Sequence, residues 1–360
     1  MSKQSYLVKK FGDFEVEWKT LGEVAIVTIG EFIHKNNQDP SAKYPVYNGG
    51  TSPTGYYDKY NNTGDKIIVS ARGANAGYVN RFSKAYWAGN SCYSIGIKEA
   101  TKLNWVFVFY FLKNAEDKLT SSQQKGGIPA VSKKQIESFQ LPIPPLHVQA
   151  EIVRILDKFT ELTTELTTEL TARKKQYAYY RDKLLTFNEG EVEWKTLGEV
   201  AKIKHGKDWK KLNTGNVPVY GSGGIMGYVD IYSYDKPTVL IPRKGSITNI
   251  FYVDSPFWNV DTIYYTKIDI DQILPKFFYY YMTKTDLMKL DTGSGRPSLT
   301  QAILNEIKIP IPQLTEQARI VAILDKFNTL VNSISEGLPR EIKLRRQQYA
   351  YYRNLLLNFP

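Results

Sequence analysis

The chain has 360 residues, of which 42% are hydrophobic and 23% are charged. This length suits two domains rather than one, and the composition supports a sizeable buried core and excludes a chain that is disordered throughout. Lysine and arginine number 47 against 36 aspartates and glutamates, and the resulting net charge of +11 favours a polyanionic partner such as nucleic acid or an anionic membrane surface.

Several classes of protein are excluded by residue counts. The one cysteine, Cys92, excludes an intramolecular disulfide framework and a cysteine-rich zinc site. The three histidines, His34, His147 and His205, lack metal-binding spacing. No apolar run reaches the ~20 residues of a membrane span, and the N-terminus lacks the apolar stretch of a secretory signal. We therefore expect a soluble cytoplasmic protein that binds no metal.

The chain repeats its own sequence. EVEWKTLGEVA occurs at residues 15–25 and 191–201, ILDKF at residues 155–159 and 323–327, and QYAYYR also occurs twice. These matches define two copies of one unit of about 170 residues. The copies agree at their edges and differ in their middles. Sequence drift after an old duplication is one explanation of this difference. The explanation that we favour is that the edges bind one shared partner and the middles recognise two different targets.

Each middle has the pattern of a mixed α/β domain. Short β-branched or aromatic runs predict strands at residues 67–71, 238–242 and 262–266. Longer apolar runs predict buried helices at residues 104–119 and 274–290. Glycine-rich loops follow each helix, and LPIPPL and IPIPQL then predict rigid exits, because proline can neither continue a helix nor donate to a sheet ladder.

A long amphipathic helix is predicted after each exit. The first seam consists of Ile152, Leu156, Phe159, Leu162, Leu166, Leu170, Arg173, Tyr177, Tyr180 and Leu184. The second consists of Ile320, Leu324, Phe327, Val331 and Ile334, and it resumes after Gly337 and Pro339 with Ile342, Arg345, Tyr349, Tyr352, Leu356 and Phe359. Two helices with the same heptad seam predict an antiparallel pair. The alternative is that each helix packs only on its own domain.

The sequence contains no recognisable catalytic motif. The phosphate-binding loop, the amino-methyltransferase motif [DN]PP[YF] and the GxSxG elbow are missing, and GSGG at residues 221–224 is only a glycine-rich turn. The tripeptide ExK at Glu17 and Glu193 is too short to indicate a nuclease. We therefore expect a protein that binds rather than one that catalyses.

This arrangement resembles the specificity (S) subunit of type I restriction–modification systems. The resemblance rests on VEWKTLGEVA, LPIPPLHVQAEIVRILDKF and ARKKQYAYYRDKLLTF, and it covers nearly the whole chain. It implies an α/β (α+β) fold with a pseudo-two-fold internal repeat. Two similar target recognition domains, residues 1–145 and 189–313, would be joined by two long antiparallel coiled-coil helices, residues 146–188 and 314–360.

The resemblance also implies a function. Each target recognition domain would read one half of an asymmetric double-stranded DNA site in the major groove, and the helices would set the gap between the halves. Two methyltransferase (modification) subunits would dock on the shared segments, and restriction/translocase subunits would join through them. S-adenosylmethionine, ATP and Mg would belong to those partners, and this chain would bind no cofactor and no membrane. A repeat-containing carbohydrate or cell-surface binding module is the alternative.

Polar residues of the middles are the candidates for base contacts, since Arg pairs with guanine and Asn or Gln with adenine. They are Arg72, Asn75, Asn80, Gln123, Gln124 and Lys125 in the first domain, and Lys210, Arg243, Lys244, Thr248, Asn249, Ser294 and Arg296 in the second. A solvated loop position or a phosphate contact is the alternative for each. The candidates for partner docking are Trp18, Trp194, Tyr177, Tyr180, Arg181, Tyr349, Tyr352 and Arg353. For the helical ones, packing in the seam is the alternative.

Residues 160–170 read TELTTELTTEL, a repeat of period four that departs from the heptad. The resemblance makes this segment a spacer-length element. Removing one four-residue unit shortens a helix by ~6 Å and rotates it by about 40°. That rotation is close to one base-pair step, so we expect the DNA gap to change by one base pair. A merely degenerate helix surface is the alternative.

Overall fold

The computed structural model describes residues 3–121, 129–292 and 295–359. They form two compact units, the first made of residues up to 165 together with residues 342–360, and the second made of residues 166–341.

The secondary structure follows the repeat. The strands are β1 (Glu17–Thr20), β2 (Ala25–Ile29), β3 (Tyr44–Tyr47), β4 (Gly55–Tyr57), β5 (Lys66–Ser70), β6 (Val79–Phe82), β7 (Trp87–Ala88), β8 (Cys92–Ile97), β9 (Gln140–Ile143), β10 (Glu193–Thr196), β11 (Ala201–Lys204), β12 (Val217–Gly221), β13 (Gly224–Val229), β14 (Thr238–Pro242), β15 (Phe251–Val253), β16 (Trp258–Asn259), β17 (Ile263–Ile268) and β18 (Lys308–Ile311). The helices are α1 (Lys3–Phe11), α2 (Leu21–Val24), α3 (Trp105–Asn114), α4 (Glu116–Ser121), α5 (Lys133–Glu137), α6 (Leu146–Leu184), α7 (Leu197–Val200), α8 (Pro275–Lys284), α9 (Gln301–Asn305), α10 (Leu314–Asn332) and α11 (Gly337–Leu356), with short 3-10 helices at Lys35–Asn37 and Leu287–Leu290.

Three sheets organise the first unit. The largest has the strand order β2-β8-β5-β6 and is antiparallel. The second has the order β4-β3-β7, in which β3 pairs antiparallel with β4 and parallel with β7, and the third is the ribbon β1-β9. Because side chains alternate along a strand, Ile67 and Val69 of β5 face the main core beside Phe107 of α3, whereas Ile68 faces a smaller cluster with Tyr86.

The second unit has the same topology. Its sheets have the orders β11-β17-β14-β15 and β13-β12-β16, and β10-β18 forms the ribbon. Val239 and Ile241 of β14 face the main core beside Phe277 of α8, and Leu240 faces a smaller cluster with Phe257. The predicted mixed fold and its internal repeat are therefore confirmed.

The predicted strands agree with β5, β14 and β17 to within two residues at each end. Two expectations need correction. Each predicted buried helix is interrupted, the first at Ala115 between α3 and α4, and the second after α8, where only a 3-10 turn follows. The proline-rich exits are partly strands, since Pro142 lies opposite Trp18 and Pro310 opposite Trp194. A two-stranded ribbon tolerates proline because both of its strands are edges.

Within each unit the helical segments pack through the repeated motifs. In the first unit, the Phe159 ring of α6 stacks on Tyr352 of α11 with 5.5 Å between centroids, and Tyr349 lies beside them. In the second unit, the Phe327 ring of α10 stacks on Tyr180 of α6 with 5.7 Å between centroids. The phenylalanine of ILDKF therefore packs on the tyrosines of QYAYYR from the other copy.

The predicted seam lies on the observed helices except at two residues, Ile334 and Phe359. Phe359 lies beyond the end of α11 but is buried in the core of the first unit. Leu162, Leu166 and Leu170 are half-buried and lie in an uninterrupted α6. The predicted break near Gly337 is present, since α10 ends at Asn332 and Gly337 has a positive φ of 71°. Ile334 was predicted in the seam, but it is 83% exposed, because it lies beyond the end of α10.

Candidate nucleic-acid interface

In the first unit, residues 71–78 form a tight loop between β5 and β6, here called the first recognition loop. Its start is held by three backbone hydrogen bonds: the N–H of Ala71 donates to Ser91 O at 2.8 Å, that of Val131 to Ala71 O at 2.9 Å, and that of Gly73 to Pro129 O at 2.9 Å. Gly73 has a φ of 89°, a conformation that favours glycine. The predicted base-contact residues Arg72 and Asn75 both lie exposed on this loop.

In the second unit, residues 243–250 form the corresponding second recognition loop. The N–H of Arg243 donates to Thr262 O at 2.9 Å, that of Leu299 to Arg243 O at 2.8 Å, and that of Gly245 to Pro297 O at 2.9 Å. Gly245 has a φ of 85°. These three bonds repeat those of the first loop, so Arg243 corresponds to Ala71 and Gly245 to Gly73.

The second loop brings several predicted residues together. A Cβ atom at Gly245 would lie 3.2 Å from Arg296 Nη2 and 3.3 Å from Ser222 Oγ, so both side chains lie over this glycine. The Asn249 side-chain amide donates to Ser222 O at 3.1 Å. Lys244, Thr248, Asn249 and Arg296 are exposed, and Arg243 is half-buried. These side chains form a cluster of hydrogen-bond donors on a loop that backbone hydrogen bonds hold in place.

A buried tyrosine lies below each loop. The Tyr93 hydroxyl donates to Val131 O at 3.2 Å, and the Tyr264 hydroxyl donates to Leu299 O at 3.4 Å. Burial raises the pKa of both hydroxyls, and the guanidinium groups of Arg72 and Arg243 respectively act in the opposite direction. The two arginines therefore lie near equivalent tyrosines, although they occupy different positions in the two loops.

Other predicted base-contact residues lie elsewhere. Asn80 is half-buried on β6, where its side-chain oxygen accepts from the Arg81 N–H at 2.8 Å, and it lines a cavity with residues of α3, α6 and α11. Lys210 is exposed in the loop between β11 and β12, and its N–H donates to Asp208 Oδ1 at 3.2 Å. Gln123, Gln124, Lys125 and Ser294 lie outside the described residues.

The candidate docking residues divide between ribbon and seam. Trp18 and Trp194, 44% and 36% exposed, occupy the same position on the ribbons of the two units. Tyr177, Tyr180, Tyr349 and Tyr352 pack in the helix seam, and burial raises the pKa of Tyr177 to about 12. Their ring contacts are those expected of the seam alternative, but Tyr180 is still 37% exposed, and partner docking at these tyrosines stays a prediction.

The two candidate arginines also differ in their surroundings. Arg181 pairs with Asp182 at 2.7 Å. The guanidinium of Arg353 lies over the Tyr349 ring, with 5.5 Å from Cζ to the centroid, and its Nε is buried.

The sequence and structure match known proteins along the whole chain. The family model described as "Type I restriction modification DNA specificity domain" matches twice, at residues 15–174 and 189–344. The chain is 34% identical to the EcoR124I/EcoR124II type I restriction enzyme specificity subunit of Escherichia coli, over 100% of this chain and 98% of that protein. A type I restriction enzyme specificity subunit of Haemophilus influenzae is also 34% identical, over 99% of each chain. The chain belongs to the type I restriction–modification DNA specificity family.

Solved structures support the fold of this specificity chain. The type I S subunit from M. genitalium has a TM-score of 0.70 at 23% identity, over 97% of each chain. A chain from a study of type I R-M complex assembly has a TM-score of 0.56 at 16% identity. The predicted family is thus confirmed, as is the assignment of the chain to the DNA-recognition component rather than to an enzyme.

Two repeated pairs of polar residues in this specificity chain were not predicted from the sequence: a pair of buried glutamines and a pair of half-buried aspartates. Gln149 and Gln317 are fully buried, and each makes three hydrogen bonds. Asp157 accepts from the Tyr110 hydroxyl at 2.6 Å, and Asp325 from the Tyr280 hydroxyl at 2.6 Å. Their identical spacing in the two copies was the available indication.

The described part of the specificity chain has no group of three or more metal-ligating side chains, and none of its described helices is long and apolar enough to cross a membrane. The ExK tripeptides form ion pairs instead, Glu17 with Lys19 at 3.0 Å and Glu193 with Lys195 at 3.4 Å.

Proposed function

We propose that the two units read the two halves of one asymmetric DNA site, each through its recognition loop. The observation that carries this proposal is the pair of loops with one backbone frame and different side chains. Arg72 corresponds to Lys244 and Ala130 to Ser298, as the matching bridges show. A frame that is kept while its side chains change suits the reading of different base edges by equivalent domains.

The proposal extends to the partners. Methyltransferase subunits dock on the shared segments, where Trp18 and Trp194 are exposed at equivalent places. Restriction/translocase subunits join through them. S-adenosylmethionine, ATP and Mg bind to those partner subunits. This chain binds double-stranded DNA in the cytoplasm without a cofactor of its own. The isolated chain binds DNA weakly and gains specificity with the methyltransferase subunit, because phosphate contacts alone carry no sequence information.

The spacer function is assigned to the long helices. Residues 160–170 lie in the uninterrupted α6, and the leucines of the TELT repeat occupy equivalent half-buried positions. A four-residue block can therefore be removed while the leucine stripe is kept. This supports a helix whose length sets the gap between the half-sites.

Paired substitutions test the reading of half-sites. Arg72→Ala with Asn75→Ala alters the first loop, and Lys244→Ala with Asn249→Ala alters the second. All four side chains are exposed, so both proteins should fold. Each variant is co-expressed with the methyltransferase subunit, and methylated adenines are mapped across the genome.

We expect each variant to relax recognition in one half of the motif, by about 1–3 kcal/mol per lost base contact. The half that changes should differ between the two variants, and each variant serves as the other's control. A palindromic wild-type motif, or loss in both halves from one variant, would contradict the proposal.

A further inference from the structure

One exposed sheet face of the second unit carries a row of lysines. Lys202 and Lys204 lie on the outer side of β11, where they alternate with the buried Ala201 and Ile203. Lys267 of β17 is directly opposite Lys202. Lys207 follows β11 and is also exposed. We call Lys202, Lys204, Lys207 and Lys267 the lysine row.

The row has no counterpart of equal charge at the matched positions of the first unit. Strand pairing matches Lys202 and Lys267 with Ile26 and Gly96. Two equivalent contacts match Lys207 with Glu31: the N–H of Lys207 donates to Asn259 O at 2.9 Å and that of Glu31 to Ala88 O at 2.8 Å, and each residue's carbonyl accepts from a tryptophan indole.

By the same register, Lys204 corresponds to Thr28, and the buried Thr238 corresponds to Lys66. These five positions therefore carry four positive charges in the second unit. In the first unit, Lys66 and Glu31 cancel.

The row begins beside the second recognition loop. The backbone carbonyl of Asn259 accepts from the N–H of Lys207, and that of Thr262, three residues later, accepts from the N–H of Arg243. Three residues span at most about 10 Å. Lys207 is therefore a neighbour of the loop that we assign to base reading. Lys204 and Lys202, which are about 6.8 Å apart along β11, continue the row.

Repulsion within the lysine row destabilises the folded unit when no partner is bound. Like charges directly opposite each other on a sheet are destabilising, and Lys202 and Lys267 form such a pair. Among the residues that the structure describes, none of the four lysines has a carboxylate within ion-pair distance; Lys267 lies over the Tyr234 ring, with 5.7 Å from Nζ to the centroid. A surface of this kind suits a polyanion that supplies the missing counter-charges.

We propose that the lysine row binds the phosphate backbone of the DNA beside the half-site of the second unit, so that the second unit contributes more of the electrostatic affinity than the first. This rests on the proposed function. Each phosphate neutralised by a lysine releases counterions. We therefore expect the lysine row to increase the dependence of DNA affinity on salt concentration.

The test uses the full chain and a labelled duplex of mixed sequence, with binding measured over a range of salt concentrations. In one variant the four lysines of the row are replaced by glutamine. In a second, all four are replaced by arginine. A matched control replaces Lys174, Lys175, Lys183 and Lys326 by glutamine; these are exposed lysines of the same unit on helices rather than on the sheet.

We expect the glutamine variant of the row to lower the slope of log affinity against log salt by about three to four, at about 0.9 per phosphate contact. The arginine variant should keep the wild-type slope, and the helix control should change it much less. Thermal unfolding should show the glutamine variant of the row to be at least as stable as wild type, since it loses a like-charge pair.

Three results separate the possibilities. Equal slopes for the wild type and the glutamine variant of the row would overturn this inference while leaving DNA reading intact. An unchanged slope with loss of the methyltransferase subunit on co-purification would assign the row to an acidic protein surface and would also overturn it. A wild-type chain without salt-dependent duplex binding would instead refute the proposed function itself.

Discussion

The two units share a skeleton and differ at two surfaces. Their sheets have the same strand order, and their loops are held by the same three hydrogen bonds. Their recognition loops, however, carry Arg72 in one unit and Arg243 with Lys244 in the other. Their exposed sheet faces also differ, because Ile26 of the first unit is replaced by Lys202 in the second.

This difference separates positions that stabilise the fold from positions that are free to vary. Some of the identical residues stabilise the fold through local hydrogen bonds between side chain and backbone. Glu23 and Glu199, for example, each accept hydrogen bonds from the N–H and the hydroxyl of the threonine three residues earlier, at 2.6 Å. The variable loop residues Arg72, Asn75, Lys244 and Asn249 are exposed, so they can change without loss of fold. Three predictions sharpen the contrast.

The largest effect is expected at the buried glutamines. Gln149 accepts from the Asn104 N–H at 2.8 Å and donates to Lys102 O and Pro144 O, and Gln317 makes the equivalent bonds in the second unit. Substitution by leucine leaves three backbone groups without partners, at about 1–3 kcal/mol each. We expect each variant to lose about 3 kcal/mol or more in the free energy of unfolding, measured by chemical denaturation.

The control for these variants is Gln140→Leu, which replaces an exposed glutamine on β9 and should change stability by less than about 0.5 kcal/mol. A large loss for Gln149→Leu with no loss for Gln317→Leu would show that the two skeletons are not energetically equivalent.

A smaller effect is expected at the loop glycines. Gly73 and Gly245 have φ angles of 89° and 85°, so alanine should destabilise either loop by about 1–2 kcal/mol. At Gly73 the new methyl group meets no atom within 4 Å, whereas at Gly245 it lies 3.2 Å from Arg296 Nη2.

We therefore expect similar losses in melting temperature for Gly73→Ala and Gly245→Ala. Additional displacement of Arg296 is expected in Gly245→Ala alone, and methylated-motif mapping should show weakened recognition there. Equal effects of the two variants on recognition would break the proposed assignment of Arg296.

The smallest effect concerns Cys92, whose counterpart in the second unit is Ile263. The thiol is buried, and burial raises its pKa to about 12 from an ordinary value of 9.0. Because the thiolate is the reactive form, alkylation at pH 8 should require opening of the first unit. The unfolded thiol ionises at lower pH than the folded one, so the first unit should lose stability as pH rises above about 9.

Iodoacetamide labelling followed by mass spectrometry measures this opening. Labelling should accelerate in Gln149→Leu, which weakens the first unit, and it should stay at the wild-type rate in Gln317→Leu. Acceleration by both substitutions would show that the two units open together.

The sequence by itself determined the repeat, the mixed fold and the family. Repetition is visible without coordinates, and strands such as β14 follow from short β-branched runs whose preference is local. The exposed polar residues of the two loops were also predictable, because glycine and charged residues between two strands indicate a turn. The seam of the long helices follows from heptad spacing, which a helix converts directly into one face.

Only the tertiary structure decided which distant residues meet. Pairing of β11 with β17 places Lys202 opposite Lys267, and the bridge from Lys244 to Ser298 brings two distant segments to one loop. The stabilising role of Gln149 and Gln317 depends on backbone partners that only the structure identifies. Ile334 lies outside the seam because α10 ends before it. The physical reason is that periodicity is a property of neighbouring residues, whereas strand register and buried hydrogen bonds depend on contacts between segments that are distant in sequence.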